Sequence, residues 1–162
     1  MKSKKVLFLT QAAMIAAVYV ILTEIFAPIS FSVGQVRIAE ALTILPAFTP
    51  AAIPGLFVGC LIGNVLAGAV IWDVIFGSLA TLIGAYCTHL LRNKNKFLAP
   101  LPPIISNTIM IPLILRYAYG LNHAVPFMML MVGFGEIISC GVLGVLLYAP
   151  LQKHRNRIFR IT

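Results

Sequence analysis

The sequence predicts an all-α integral membrane protein: a six transmembrane helix bundle with short loops and both termini cytoplasmic. Three observations predict it. The 162 residues are 60% hydrophobic and 10% charged, with a mean hydropathy of +1.01, whereas a soluble domain carries roughly 25% charged residues. Apolar runs recur from Val6 to Ala149, and a bilayer core takes about 20 such residues per helix. Ten of the twelve basic residues fall in three short clusters, Lys2 to Lys5, Arg92 to Lys96 and Lys153 to Arg160, each flanking an apolar segment. That is the positive-inside pattern, which orients helices in the cell membrane and calls for no nucleic acid partner.

The elements follow in order along one membrane domain, residues 1–162. The first span is 6–27. Its KSKK lead is similar to a signal peptide, but the apolar run is long enough to cross, so it reads as a retained helix. Ala12/Ala16 and Ala13/Ala17 place small residues on one face, fitting either packing within the chain or an outward docking surface. The second span, 38–48, is short at about 1.5 Å per residue. Parity still requires it, because only an even number of crossings before Arg92 returns that loop to the side of both termini. The third span, 51–71, follows Pro46, Pro50 and Pro54. It carries Gly55, Gly59, Gly63 and Ala67 at every fourth position, a face suited to close helix packing inside the monomer. Spans 73–91, 98–119 and 124–151 complete the bundle, and no internal repeat suggests the inverted plan of secondary carriers.

The four acids, Glu24, Glu40, Asp73 and Glu136, all lie in or at the edge of apolar spans. An acid near the bilayer centre costs at least about 2.5–3.5 kcal/mol, so each is a functional candidate. Topology puts Glu24, Glu40 and Asp73 in the outer half and Glu136 midway along the sixth span. Arg37, Arg116, Trp72 and Tyr117 fall at the same outer level, with Asn64 and Asn107 deeper. Aromatic, amide and charged groups above an apolar bundle suit a flat, polar small molecule, neutral or cationic. Plainer roles stand beside each: a helix-end cap for Asp73, mutual neutralisation for Arg37 and Glu40 at i, i+3, and an interfacial belt for Trp72 and Tyr117. Glu136 has no basic residue at its depth and must bond a ligand, an amide such as Asn107, or a proton.

Cys60, Cys87 and Cys140 stand isolated in apolar segments, as buried small hydrophobes rather than metal ligands or a disulfide. No phosphate loop, zinc-protease motif or nucleophile elbow is present, so the chain is expected not to be an enzyme and to need no cofactor or metal. These features describe a capture subunit that borrows its motor.

The segment QVRIAEALTILPAFTPAAIPGLFVGCLIGN, Gln35 to Asn64, with DVIFGSLATLIGA, Asp73 to Ala85, resembles the QueT-type substrate-binding subunits (S components) of energy-coupling factor transporters. The resemblance covers essentially the full length, the short second span remaining unusual. It implies a subunit that binds queuosine or a 7-deazaguanine precursor (preQ1 or preQ0) from outside and docks on a coupling membrane protein driven by two ABC-type ATPases. By the same resemblance, Ala12, Ala13, Ala16 and Ala17 form the docking face, and the Pro28–Arg37 loop covers the site. A 7-deazaguanine offers two parallel donors that one carboxylate can accept, and a carbonyl that asks for a donor. Glu40 and Glu136 are thus expected at the base edge and Asp73 at a cationic arm. Arg37, Asn107 and Arg116 are the candidate donors, with Trp72 or Tyr117 stacking on the ring. Another vitamin-like substrate, or a stand-alone proton-coupled carrier using Glu136, are the alternatives.

Overall fold

A computed structural model describes residues 2–30, 36–95 and 97–159. Of the expected covering loop, residues 31–35 lie outside the described residues, as do Lys96 and Arg160. The described residues are helical, with no strand.

Helix α1, Lys2–Ile25, is followed by a helical turn at Ala27–Ser30. The next element, Ile38–Ala47, is wound as a 3-10 helix rather than the expected α-helix. Its Glu40 N–H bonds to the carbonyl of Arg37 at 2.9 Å, and Phe48 closes onto Leu45 at 2.8 Å. Such helices rarely exceed three or four residues, but they rise about 2.0 Å per residue, so ten residues reach roughly 20 Å instead of ~15 Å. Nearly every side chain of the segment is buried. A tight rod enclosed by other helices is stabilised by its surroundings rather than by its own hydrogen bonds. Thr43 also donates to the Glu40 carbonyl at 2.6 Å.

Helix α2 is Ala52–Leu66. Helix α3, Asp73–Leu90, opens with a π-helical turn at Asp73–Gly77. Helix α4 is Leu101–Tyr117, and α5, Val125–Lys153, contains a second π turn at Ile137–Leu143. Helices α1, α3 and α5 are long and apolar enough to cross a membrane. Successive segments run in alternating directions between two ends. At one, Arg37 meets Asp73 at 3.6 Å and Tyr119 donates to Asp73 at 3.0 Å. At the other, His89 bonds the Pro46 carbonyl at 2.7 Å and Gln11 donates to the Ile158 carbonyl at 3.0 Å. The 3-10 segment spans this distance, since Arg37 precedes it and Pro46 lies near its end. Phe48, flanked by Tyr148 at 4.8 Å and Phe159 at 5.5 Å, plugs the second end.

The small-residue face of α2 packs inside the monomer, as its spacing suggests. A Cβ on Gly55 would stand 2.7 Å from the Ala12 carbonyl, and one on Gly59 would stand 2.8 Å from Tyr19 Cβ. Helices α1 and α2 thus meet backbone to backbone. Gly84 does the same for α3 and α4, where a Cβ would lie 2.7 Å from Pro103 Cα. Outward faces carry large apolar side chains such as Leu9, Leu130, Phe134 and Leu146, while Glu40, Asn64, Asp73, Asn107 and Glu136 are buried. Polar groups inside and apolar groups outside suit lipid as the surrounding solvent.

Candidate functional site

The 3-10 segment carries Glu40 into the middle of the bundle, where it is fully buried. Tyr19 of α1 donates to its Oε1 at 2.5 Å, and the Thr81 hydroxyl of α3 lies 3.4 Å from the same oxygen. The other oxygen, Oε2, is buried with no hydrogen bond among the described residues. Glu136 of α5 lies alongside, also buried. Asn107 of α4 donates to its Oε1 at 3.1 Å, and the Cys140 thiol, one turn on, lies 3.1 Å from its Oε2. Glu136 immediately precedes the π turn that contains Ser139 and Cys140. An i→i+5 turn inserts a residue into the helical repeat, and such turns gather at functional sites. Five segments therefore supply one polar cluster inside an apolar bundle.

A second group stands at the Asp73 end. Arg37 and Asp73 form an ion pair, both side chains buried. Tyr119, in the turn after α4, donates to Asp73 and accepts the Val70 N–H at 3.4 Å. Asn64 holds the Asp73 carbonyl at 3.3 Å. Asp73 thus acts as a partner for Arg37 and Tyr119 beyond any role at its helix end. Its Oδ1, buried without a hydrogen bond among the described residues, lies beside Gly77, where a Cβ would come within 2.8 Å. Gly77→Ala is expected to displace the Asp73 carboxylate, weakening the Arg37 contact and ligand binding together; calorimetry and thermal melting of the purified variant check this. Tyr119→Phe removes both the donor to Asp73 and the acceptor of the Val70 N–H, each worth about 1 kcal/mol, and is expected to lower thermal stability.

The structure brings Glu40, Glu136, Asn107, Arg37 and Asp73 into the interior. Arg116 is held at the Leu121 carbonyl at 3.0 Å. Trp72 and Tyr117 are exposed. They line an apolar groove of about 460 Å³ with Phe76, Met110, Leu113, Ile114 and Ala118, and Trp72 stacks on Phe76 at 5.9 Å, the placement of an interfacial belt. Glu24 is exposed as well. Ala16 is buried against Gly59 and Ala12 backs onto Gly55, while Ala13 and Ala17 face outward.

Residues 9–153 match the QueT transporter family. The chain belongs to that family. No curated protein and no solved structure matches it. A QueT protein is a multi-pass membrane transport protein and not an enzyme. Glu40, Glu136 and Cys140 each offer an atom within 4.8 Å of the others. Two oxygens and a thiol could ligate a metal ion, but the Cys140 and Asn107 donors already aimed at Glu136 describe a hydrogen-bonded network better than a coordination shell.

Tyr19, Thr81, Cys140 and Thr43 were not legible as site residues in this QueT sequence. Tyr19 and Thr81 sit in ordinary apolar helix text, and neither is near Glu40 in sequence. Cys140 carried one signal, its i+4 spacing from Glu136, which puts both on one helix face.

Proposed function

We propose that this QueT protein is the substrate-capture subunit of an energy-coupling factor transporter and takes up queuosine or a 7-deazaguanine precursor. The observation that carries this is the buried pair Glu40 and Glu136 with Asn107 between α4 and α5. One carboxylate accepts the paired N1–H and exocyclic N–H donors of a 7-deazaguanine, and an amide or guanidinium donates to its carbonyl. Glu40 Oε2, lacking a hydrogen bond among the described residues, supports Glu40 as that acceptor. Tyr19, already on Glu40, is the aromatic ring nearest the base; Trp72 and Tyr117 would reach it only after the outer end rearranges.

In this reading all six segments cross the membrane as one domain. The Asp73 end faces outward, and the basic clusters and both termini face the cytoplasm. Cargo enters from the Asp73 end, and a coupling membrane protein with two ATPases drives release. Ala13 and Ala17, exposed on α1, are the docking candidates. Ala13→Trp is expected to abolish ATP-driven uptake in reconstituted liposomes while leaving ligand affinity within about twofold. Ala16→Trp, which overpacks the α1–α2 contact, is expected to reduce both.

Calorimetry of the purified protein with queuosine, its base and both precursors tests the substrate. Tight binding of a vitamin and of none of these would reassign the cargo. Uptake by the protein alone, without ATPase partners, would instead favour a proton-coupled carrier.

A further inference from the structure

We infer that the Tyr119 hydroxyl is a latch on the outer mouth of the bundle, setting how fast cargo reaches and leaves the buried cluster. This rests on the reading above that cargo enters from the Asp73 end. The hydroxyl is used twice, donating to Asp73 Oδ2 at 3.0 Å and accepting the Val70 N–H at 3.4 Å. Tyr119 stands in the turn between α4 and α5, and Val70 in the turn between α2 and α3. Among the described residues, these two bonds are the hydrogen bonds that tie the α4–α5 turn to the α2–α3 turn and the start of α3. The ion pair of Asp73 with Arg37 joins α3 to the 3-10 segment instead. Inward from the strap, Asp73, Gly77 and Thr81 follow one another along α3, and Thr81 lies on Glu40. At about 1.5 Å per residue, the latch stands roughly 12 Å along the helix from that contact.

A second, independent observation separates the moving part from its mounting. The backbone of both turns is anchored. The Tyr119 N–H bonds to the Ile114 carbonyl at 3.2 Å, Leu121 to Leu115 at 3.1 Å, and Ala69 to Asn64 at 2.9 Å. The side chain of Tyr119 is held more loosely, 38% exposed where Arg37 and Asp73 are 5% and 1% exposed. Its neighbour Gly120, at φ +70°, has no atom within 4 Å of the place a Cβ would occupy, so that side of the turn is open. Rotation of one exposed ring therefore breaks both bonds without repacking a helix, and water can satisfy the groups it leaves. Fixed posts and a movable bolt are what a latch requires, whereas a purely structural tie would be buried with its partners.

Two buried thiols report the opening without any ligand, Cys60 beside Thr81 at 3.5 Å and Cys140 beside Glu136 at 3.1 Å. In a Cys87→Ala background, a membrane-impermeant cationic methanethiosulfonate is added outside intact cells and labelling of the full chain is followed by mass. Tyr119→Phe, with folding verified by thermal melting, is expected to speed labelling roughly ten- to thirtyfold, the range that two lost hydrogen bonds support. Gly84→Ala is the control. It crowds Pro103 at 2.7 Å and lowers the melting temperature, but should leave labelling slow. With aminomethyl 7-deazaguanine as probe, Tyr119→Phe should speed association and dissociation alike and keep Kd within about threefold. Labelling of Tyr119→Phe at the wild-type rate overturns the latch, as does equal acceleration by Gly84→Ala, which would mean general loosening. Faster labelling with unchanged ligand rates overturns its role in cargo entry. Failure of the probe to bind would count against the 7-deazaguanine reading, while the labelling rates still decide the latch.

Discussion

Glu40→Gln is expected to weaken ligand binding by roughly ten- to a hundredfold while changing folding stability by only about 1 kcal/mol. The asymmetry follows from the two carboxylate oxygens. Oε1 accepts from Tyr19 at 2.5 Å, and a glutamine carbonyl can keep that bond in a weaker, uncharged form. Losing the charge also removes part of the cost of holding a carboxylate in a low-dielectric interior, which offsets the weaker bond. Oε2 has no such compensation. It is the buried acceptor without a hydrogen bond among the described residues, and glutamine replaces it with an NH₂ that donates where a ligand donor should arrive. Titration calorimetry alongside thermal melting in detergent separates the two effects. Unchanged affinity would remove Glu40 from the site, and a collapse of the fold would make it a structural residue.

Gly59→Leu is expected to have the opposite profile, with stability and binding falling together. A Cβ at this position meets Tyr19 Cβ at 2.8 Å and the Ala16 backbone at 3.1 Å, closer than such atoms come without movement. Overpacking of this kind costs about 1–3 kcal/mol, and α1 must shift to relieve it. Because Tyr19 is the residue displaced, its bond to Glu40 is lost in the same movement. Gly141→Ala is the control, since its nearest neighbour, Ile137 Cγ2, lies 3.8 Å away in ordinary contact. A Gly59→Leu protein that melts and binds like the wild type would show that α1 and α2 do not meet on this face.

Much of the site was legible because polar residues inside lipid have few uses. Glu40, Asn107 and Glu136 stand out from their apolar context, and the structure places all three in the buried cluster. Asp73 and Arg37 were also selected, but pairing within one helix was considered for Arg37 and Glu40. The chain also brings Arg37 to Asp73 from another segment, a contact between residues too distant in sequence for local spacing to reveal. The aromatic assignments divided the other way. Trp72 and Tyr117 share the level of the site, yet their faces turn outward to the groove, while Tyr19, inconspicuous in α1, lies against Glu40.

By itself, the sequence determined the membrane class, the approximate segment boundaries and the residues costly enough to bury that they require a purpose. These properties depend on composition and on period, both of which are local. Only the tertiary structure decided the 3-10 winding of Ile38–Ala47 and the two π turns beside Asp73 and Glu136. A ten-residue 3-10 run and π turns are intrinsically less favourable than an α-helix and are selected by what surrounds them. Here the surroundings are helices that enclose the 3-10 segment and carry Tyr19, Thr81, Asn107 and Glu136 to its carboxylate.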